Sequence, residues 1–261
     1  MNALILYFSG TGNTKYAAQK FEQELKNRSI RTEIHSIEED FSIKPDTYDL
    51  LILGCPKYYE CPVSHFVRYL KKHLPINQKE VSTLMFCTQT GPLQTDYSGA
   101  AKVLARKNHK LTVSKSIQMA NNFLIFKAFA PTDEQEAKER VKQVEPTVKE
   151  LVDQFLGQKE ESEHVSRFMS GMEHAVAVTC DKLFPVFAMK YSASEDCIGC
   201  GLCAGKCPKN NITMKDKKPE FGKNCMFCMR CINLCPANAI LYHGTKFPQY
   251  SIKKALYEKS N

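Results

Sequence analysis

The chain has 261 residues, 43% of them hydrophobic and 25% charged, enough for one large domain or for a medium one joined to a small one. Its net charge of +8 is uneven, with +6 over residues 1–130, −6 over 131–196 and +8 over 197–261. Residues 3–8 are too short and lack the basic lead-in of a signal peptide, and the apolar stretch 175–189 is broken by Asp181, Lys182 and Pro185. No membrane span and a cytoplasmic setting are therefore expected.

In chain order, LILYF (4–8) reads as a strand buried on both faces, and SGTGNT (9–14) follows it into a helix over 14–28. The loop lacks the GxxxxGK[ST] of a nucleoside-triphosphate loop, and Lys15 stands where a dinucleotide fingerprint needs its third glycine. What remains is a turn of Ser9, Gly10, Thr11, Gly12, Asn13 and Thr14 at a helix N-terminus. Its amides and hydroxyls suit a phosphate, though an ordinary strand-to-helix turn has the same composition.

Residues 30–37 alternate like an edge strand, 48–54 and 81–87 read as buried strands, and 111–119 as a half-polar one. Helical spacing appears at 63–74, where Val63, Phe66, Val67 and Leu70 share a face, and again at 98–109. Strand and helix in alternation predict a parallel sheet covered on both sides. A further helix is expected from a capping box of Thr132 and Gln135, kinked or split at Pro146. The polar run 157–163 reads as a domain boundary, and 164–190 as a connecting apolar helix packed between two domains.

Eight of the twelve cysteines fall between 197 and 235, in two segments 28 residues apart that both follow CxxCxxCxxxCPxNxI. This is the bacterial-type 4Fe-4S run, in which three cysteines hold one cluster and the fourth crosses to the other. The expected ligands are Cys197, Cys200, Cys203 and Cys235 for cluster one, and Cys225, Cys228, Cys231 and Cys207 for cluster two. Structural zinc sites also use CxxC pairs, but not a third cysteine and a CP recurring in both halves. A basic tail could instead bind nucleic acid, yet its lysines are scattered among cysteines rather than ordered on a helix with aromatics.

A strand, SGTGNT and a helix at the head of an alternating chain resemble the flavodoxins, whose family binds FMN through this loop. The resemblance covers roughly residues 1–155 and implies a five-stranded parallel sheet of order 2-1-3-4-5. It places the isoalloxazine against GCPKYYECP (54–62) and TQTGPLQTDY (88–97), at the carboxyl ends of strands. The implied ring contacts are Pro56, Lys57, Tyr58 and Tyr59 in the first loop, and Thr88, Gln89, Thr90 and Gly91 in the second. No glycine follows Gly54 there to supply the peptide flip beside flavin N5, and Lys57 reads as a solvated loop lysine. Cys55, Cys61, Cys87 and Cys180 read as packing residues, and His65, His73 and His109 as helix residues without a role.

Taken whole, the chain resembles the flavodoxin–ferredoxin fusion proteins of anaerobic bacteria and archaea; MANNF (119–123) is similar to a short motif of that family. The implied layout is an FMN domain at 1–157, a helical connection at 158–190, a small α+β two-cluster domain at 191–245 and a tail at 246–261. The implied work is electron transfer between two 4Fe-4S clusters and FMN, and on to redox partners that could be acidic carriers of the ferredoxin or flavodoxin type. A flavin-dependent reductase of a small conjugated acceptor, and an iron–sulfur module with an empty flavodoxin fold, are the alternatives.

Overall fold

The computed structural model describes residues 1–125, 131–163 and 165–256. Residue 164, at the start of the expected connecting helix, and residues 257–261 of the expected tail lie outside them.

The first half is a doubly wound α/β unit. Its parallel strands are β1 (Asn2–Tyr7), β2 (Arg31–Ser36), β3 (Leu50–Tyr58), a two-residue antiparallel β4 (Cys61–Pro62), β5 (Val81–Gln89) and β6 (His109–Gln118). The parallel order is β2-β1-β3-β5-β6, the expected 2-1-3-4-5 arrangement when the five long strands are counted. Helices α1 (Asn13–Asn27), α2 (Ser64–His73), α3 (Ser98–Ala105) and α4 (Glu134–Leu156) cover it. Successive β1 side chains face opposite ways. Ala3, Ile5 and Tyr7 join Phe21 of α1 and Val144 of α4 in one core. Leu4, Leu6 and Phe8 join Phe66 of α2 and Leu104 of α3 in the other. Gly54 is required here, because a Cβ would come within 2.3 Å of the Phe86 ring, which stacks on Phe21 at 4.8 Å.

Several details differ from the expectations. Strand β3 runs on to Tyr58 and turns straight into β4, so the expected loop 54–62 is mostly a hairpin, with Lys57 opposite Pro62 and Tyr58 opposite Cys61. Its two turn residues, Tyr59 and Glu60, both have positive φ, a geometry that sequence readers associate with Asn-Gly. Helix α3 stops at Ala105, and His109 opens β6, where its Nε2 lies 3.0 Å from the Tyr48 hydroxyl. The α4 cap is Asp133, which accepts from Glu136 N at 3.0 Å, while Thr132 Oγ1 accepts from Asn121 N instead. Helix α4 is one element through Pro146. Beyond it, β7 (Glu161–Ser162) lies parallel to β6, so the polar run expected as a boundary extends the sheet edge.

Helix α5 (Arg167–Ala188) leads into β8 (Tyr191–Ala193) and the cysteine-rich half. That half folds its 28-residue repeat twice. Short α6 (Leu202–Gly205) and β9 (Ile212–Lys215) correspond to α7 (Arg230–Leu234) and β11 (Ile240–Tyr242). The hairpin of β9 with β10 (Lys218–Phe221), and a sheet of β8, β11 and β12 (Thr245–Lys246), complete it. The chain returns with α8 (Ile252–Leu256), whose Ile252 and Ala255 pack on the α1 and α4 core.

Candidate cofactor sites

The Ser9–Thr14 loop leaves the carboxyl end of β1, where a parallel sheet opens toward ligands. Gly12 caps α1 with φ 113°, and no side chain caps the helix, so its first amides face outward with the positive end of the helix dipole. Ser9 Oγ accepts from Gly12 N at 3.1 Å, Thr14 Oγ1 lies 2.7 Å from Thr88 Oγ1, and Thr11 Oγ1 accepts from Asn122. Asn13 is buried and braces the loop, donating to Ala120 O and accepting from Tyr250 OH. These contacts brace the loop, and the helix N-terminus without a side-chain cap suits a phosphate.

Beside the loop lies a cavity of about 580 Å³. Asn13, Pro56 to Glu60, and Thr88 to Leu93 line it, so both ring loops expected from the sequence meet there. Ala120 to Phe123, within the MANNF segment, close one side, and Phe184 of α5 and Phe227 of the cysteine-rich half close another. Gln89 Nε2 donates to Gly91 O at 2.9 Å, and Arg140 Nη1 donates to Thr90 O at 2.9 Å and Met119 O at 2.8 Å, fixing the second loop. Arg140 escaped the sequence reading because, besides Glu136 on its own helix, its partners are backbone carbonyls on other elements.

One ring residue departs from its expected setting. Lys57 is not solvated: its side chain is 8% exposed, paired with Glu60 and bonded to Leu93 O at 2.8 Å. The hairpin turns the ammonium back over its own strand end. Tyr58 sends its hydroxyl to Phe227 O at 3.2 Å, and burial, then the neighbouring Cys228 and Cys225, raises that phenol. Tyr59 is partly exposed and tilts against Phe184 at 5.9 Å. Cys55 and Cys87 are fully buried with sulfurs 3.7 Å apart, as packing residues are.

The cysteines form two groups. Cys225, Cys228, Cys231 and Cys207 are electrostatic neighbours of one another, as Cys203 is of Cys197 and Cys200. Burial pushes the Cys225 thiol up to about 12 and Cys228 up to about 11, with adjacent sulfurs adding to the effect at each. Burial opposes ionisation of Cys225, Cys228 and Cys231, and thiols gathered in this way are a donor set suited to a cationic centre. Amides also converge on sulfur: Asn211 N reaches Cys207 Sγ at 3.3 Å, Ala239 N reaches Cys235 Sγ at 3.2 Å and Phe227 N reaches Cys225 Sγ at 3.3 Å. The first two are 28 residues apart, and so are the left-handed pairs Gly199 with Phe227, Gly201 with Met229 and Asn210 with Asn238. The backbone thus wraps both groups in one way, which fits iron–sulfur clusters.

The two groups sit differently. Cys200 is exposed, as is Ile198 beside it. The other group meets the α/β unit: a Cβ on Gly10 would lie 2.6 Å from Cys228 O. Arg230 donates to Ser9 O, Gly10 O, Lys206 O and both oxygens of Glu38. His65 lies at the same junction, pulled down to about 4 chiefly by burial and then by Lys209.

Helix α5 ties the halves together, though not as the apolar strut expected. It grips the α/β unit with polar groups: Ser170 Oγ donates to Asp96 at 2.6 Å, and Asp181 accepts from Ser64 Oγ and Arg68. Phe184 and Ala188 are buried against the cysteine-rich half, while Met172, Val176, Val186 and Phe187 are exposed. Among the described residues, no helix is long and apolar enough to cross a membrane.

Comparison with known proteins accords with this division. The family model of a flavodoxin domain matches residues 4–131, and that of a 4Fe-4S dicluster domain matches residues 196–239. The chain is similar to a solved flavodoxin from the domain Archaea at 15% identity, over 60% of this chain and 99% of that one, with a TM-score of 0.41. Oxidised flavodoxin 2 from Bacillus cereus is similar at 16% identity, over 59% and 100%, with a TM-score of 0.37. Two-electron reduced Megasphaera elsdenii flavodoxin is similar at 20% identity, over 56% and 98%, with a TM-score of 0.39. No curated protein matches.

Proposed function

Because the chain joins a flavodoxin domain to a 4Fe-4S dicluster domain, as the flavodoxin–ferredoxin fusions do, we propose that it carries electrons between its two halves and exchanges them with partner proteins. When bound, FMN supplies one- and two-electron exchange and the clusters supply single-electron exchange. The residues that would hold FMN are the Ser9–Thr14 amides and hydroxyls for its phosphate, and Pro56 to Tyr59 with Thr88 to Gly91 for its ring. Cys197, Cys200, Cys203 and Cys235 would hold one cluster, and Cys207, Cys225, Cys228 and Cys231 the other.

One observation carries this reading. The Cys225–Cys231 loop is a wall of the flavin cavity through Phe227 and rests on the phosphate loop through Cys228. Phe227 of that loop packs on Phe184 of α5 at 4.9 Å, an apolar contact beside the cavity. The other cysteine group, with exposed Cys200, is the face a partner can reach. The dicluster half keeps a positive charge after about −2 is allowed for each cluster, so an acidic carrier of the ferredoxin or flavodoxin type suits it.

Anaerobic purification followed by reductive titration, with visible and EPR spectra, tests the reading. About eight irons and one FMN per chain are expected, with flavin reduction after cluster reduction proceeding at a rate independent of protein concentration. Bound zinc in place of iron, or a rate that scales with concentration, would overturn it.

A further inference from the structure

Outside both cofactor sites, three metal-binding side chains converge behind the flavin loops. Cys61 begins β4, Asp96 lies in the loop between β5 and α3, and His174 is on α5. Their ligand atoms all lie within 4.8 Å of one another, and His174 Nδ1 is 3.6 Å from Asp96 Oδ2. No single stretch of chain brings them together; three separate elements do.

Each member is prepared in a different way. Asp96 is buried and oriented, accepting from Ser98 N at 2.9 Å and from Ser170 Oγ at 2.6 Å, while its own amide bonds Glu60 O at 2.7 Å. Hydrogen-bonded ligands of this kind are the usual support of a metal site. The imidazole lies against Gly99, where a Cβ would come within 2.7 Å of His174 Cε1; a glycine is what leaves the ring room. The Cys61 thiol, 6% exposed, makes no hydrogen bond among the described residues. Next along α5, Glu173 Oε2 is buried without a hydrogen-bond partner and neighbours Asp96 and Glu60.

The carboxyl groups of Asp96, Glu60 and Glu173 gather around Cys61, and Lys57 is already committed to Glu60. Such a set of donors suits a dication. Thiolate, imidazole and carboxylate together select zinc over calcium or magnesium, which take oxygen ligands. We propose that Cys61, Asp96 and His174 form a zinc site, with Glu173 or water completing four ligands. Binding displaces the Cys61 proton to solvent and leaves three protein ligands drawn from β4, the β5–α3 loop and α5. The ion pins both flavin loops to the helix that carries Phe184, so it sets the shape of the cavity without touching its contents.

The test uses anaerobically purified protein with its iron in place, washed with a chelator and titrated with Zn²⁺ by calorimetry, with elemental analysis of zinc and iron. About one zinc per chain is expected beyond the iron. In His174→Ala and in Cys61→Ser, zinc binding falls by about a hundredfold or more while iron is unchanged. Proton release on binding, read by repeating the titration in buffers of different ionisation enthalpy, disappears in Cys61→Ser. His174 is half exposed, so its removal leaves the fold intact even where Cys61→Ser does not. No zinc uptake by the parent protein, or equal uptake by His174→Ala, overturns the proposal.

Discussion

Arg230 uses all five of its N–H donors, and the list of acceptors says what it is for. Nε bonds Gly10 O at 3.0 Å, one Nη bonds Lys206 O and Glu38, and the other bonds Ser9 O at 2.7 Å and Glu38. The two loop carbonyls it holds belong to the turn that would cradle phosphate, so a side chain of the dicluster half fixes the geometry of the flavin half. At 13% exposure, solvent competes little for these bonds. Arg230→Ala removes them and leaves Glu38 without its partner, a loss of about 1.5–3 kcal/mol for charged hydrogen bonds. The expected outcome is FMN binding weakened by about ten- to a hundredfold, with iron content unchanged, measured by flavin fluorescence on titration of deflavinated protein. Lys in its place recovers only part, since an ammonium cannot make the forked pair with Glu38.

At the scale of elements, the repeat is the most informative unit because its two copies were put to different uses. Where the first copy has Gly199 and Gly201 in left-handed backbone, the second has Phe227 and Met229, with φ of 56° and 60°. A bulky residue there costs about 1–2 kcal/mol. Burial of Phe227 against Phe184, Tyr191 and Tyr242 offsets it, since removing a packed phenylalanine costs about 3–5 kcal/mol. Phe227→Gly therefore relieves the backbone yet destabilises by about 2–3 kcal/mol net. A fall of several degrees in the melting temperature of the anaerobic protein checks this; a rise would show that strain dominates. The same comparison explains what was legible. The cysteine spacing shows the repeat because its two copies fold alike, and strands such as LILYF announce themselves because both their faces are buried. The hairpin at Tyr59 and Glu60 did not, because neither residue carries a turn signal, and without that hairpin Lys57 reads as solvated. Likewise, α5 reads as an apolar strut, while two of its polar groups, Ser170 and Asp181, hydrogen-bond the α/β unit. Period alone does not say which face of a helix has a partner.

For the molecule as a whole, the question is where the opposite charges of its segments are spent. The acidic side chains of α4 and β7 pair within the α/β half, as Glu145 with Lys20, Asp153 with Arg28 and Glu161 with Lys115. Among the described residues, only Glu195 and Asp196 of the acidic stretch pair with lysines of the dicluster half, at Lys218 and Lys246. Across the junction the pair is Arg230 with Glu38, largely withdrawn from solvent. The basic charge of the dicluster half is thus not consumed by the acidic middle, and exposed Lys206, Lys217 and Lys223 remain on the half that also exposes Cys200. Exposed charges act over about 8 Å at physiological ionic strength and about 3 Å at 1 M, whereas buried contacts are screened far less. Electron exchange with an acidic carrier is therefore expected to slow by roughly tenfold or more from low to high salt. Reduction of the flavin by the chain's own clusters should change little, because the halves are held by packing and by a sheltered pair. Stopped-flow measurements of both steps across a salt series decide it. The reverse pattern, a salt-sensitive internal step beside an insensitive external one, would place the basic surface against the chain's own acidic segment and remove the case for an acidic partner.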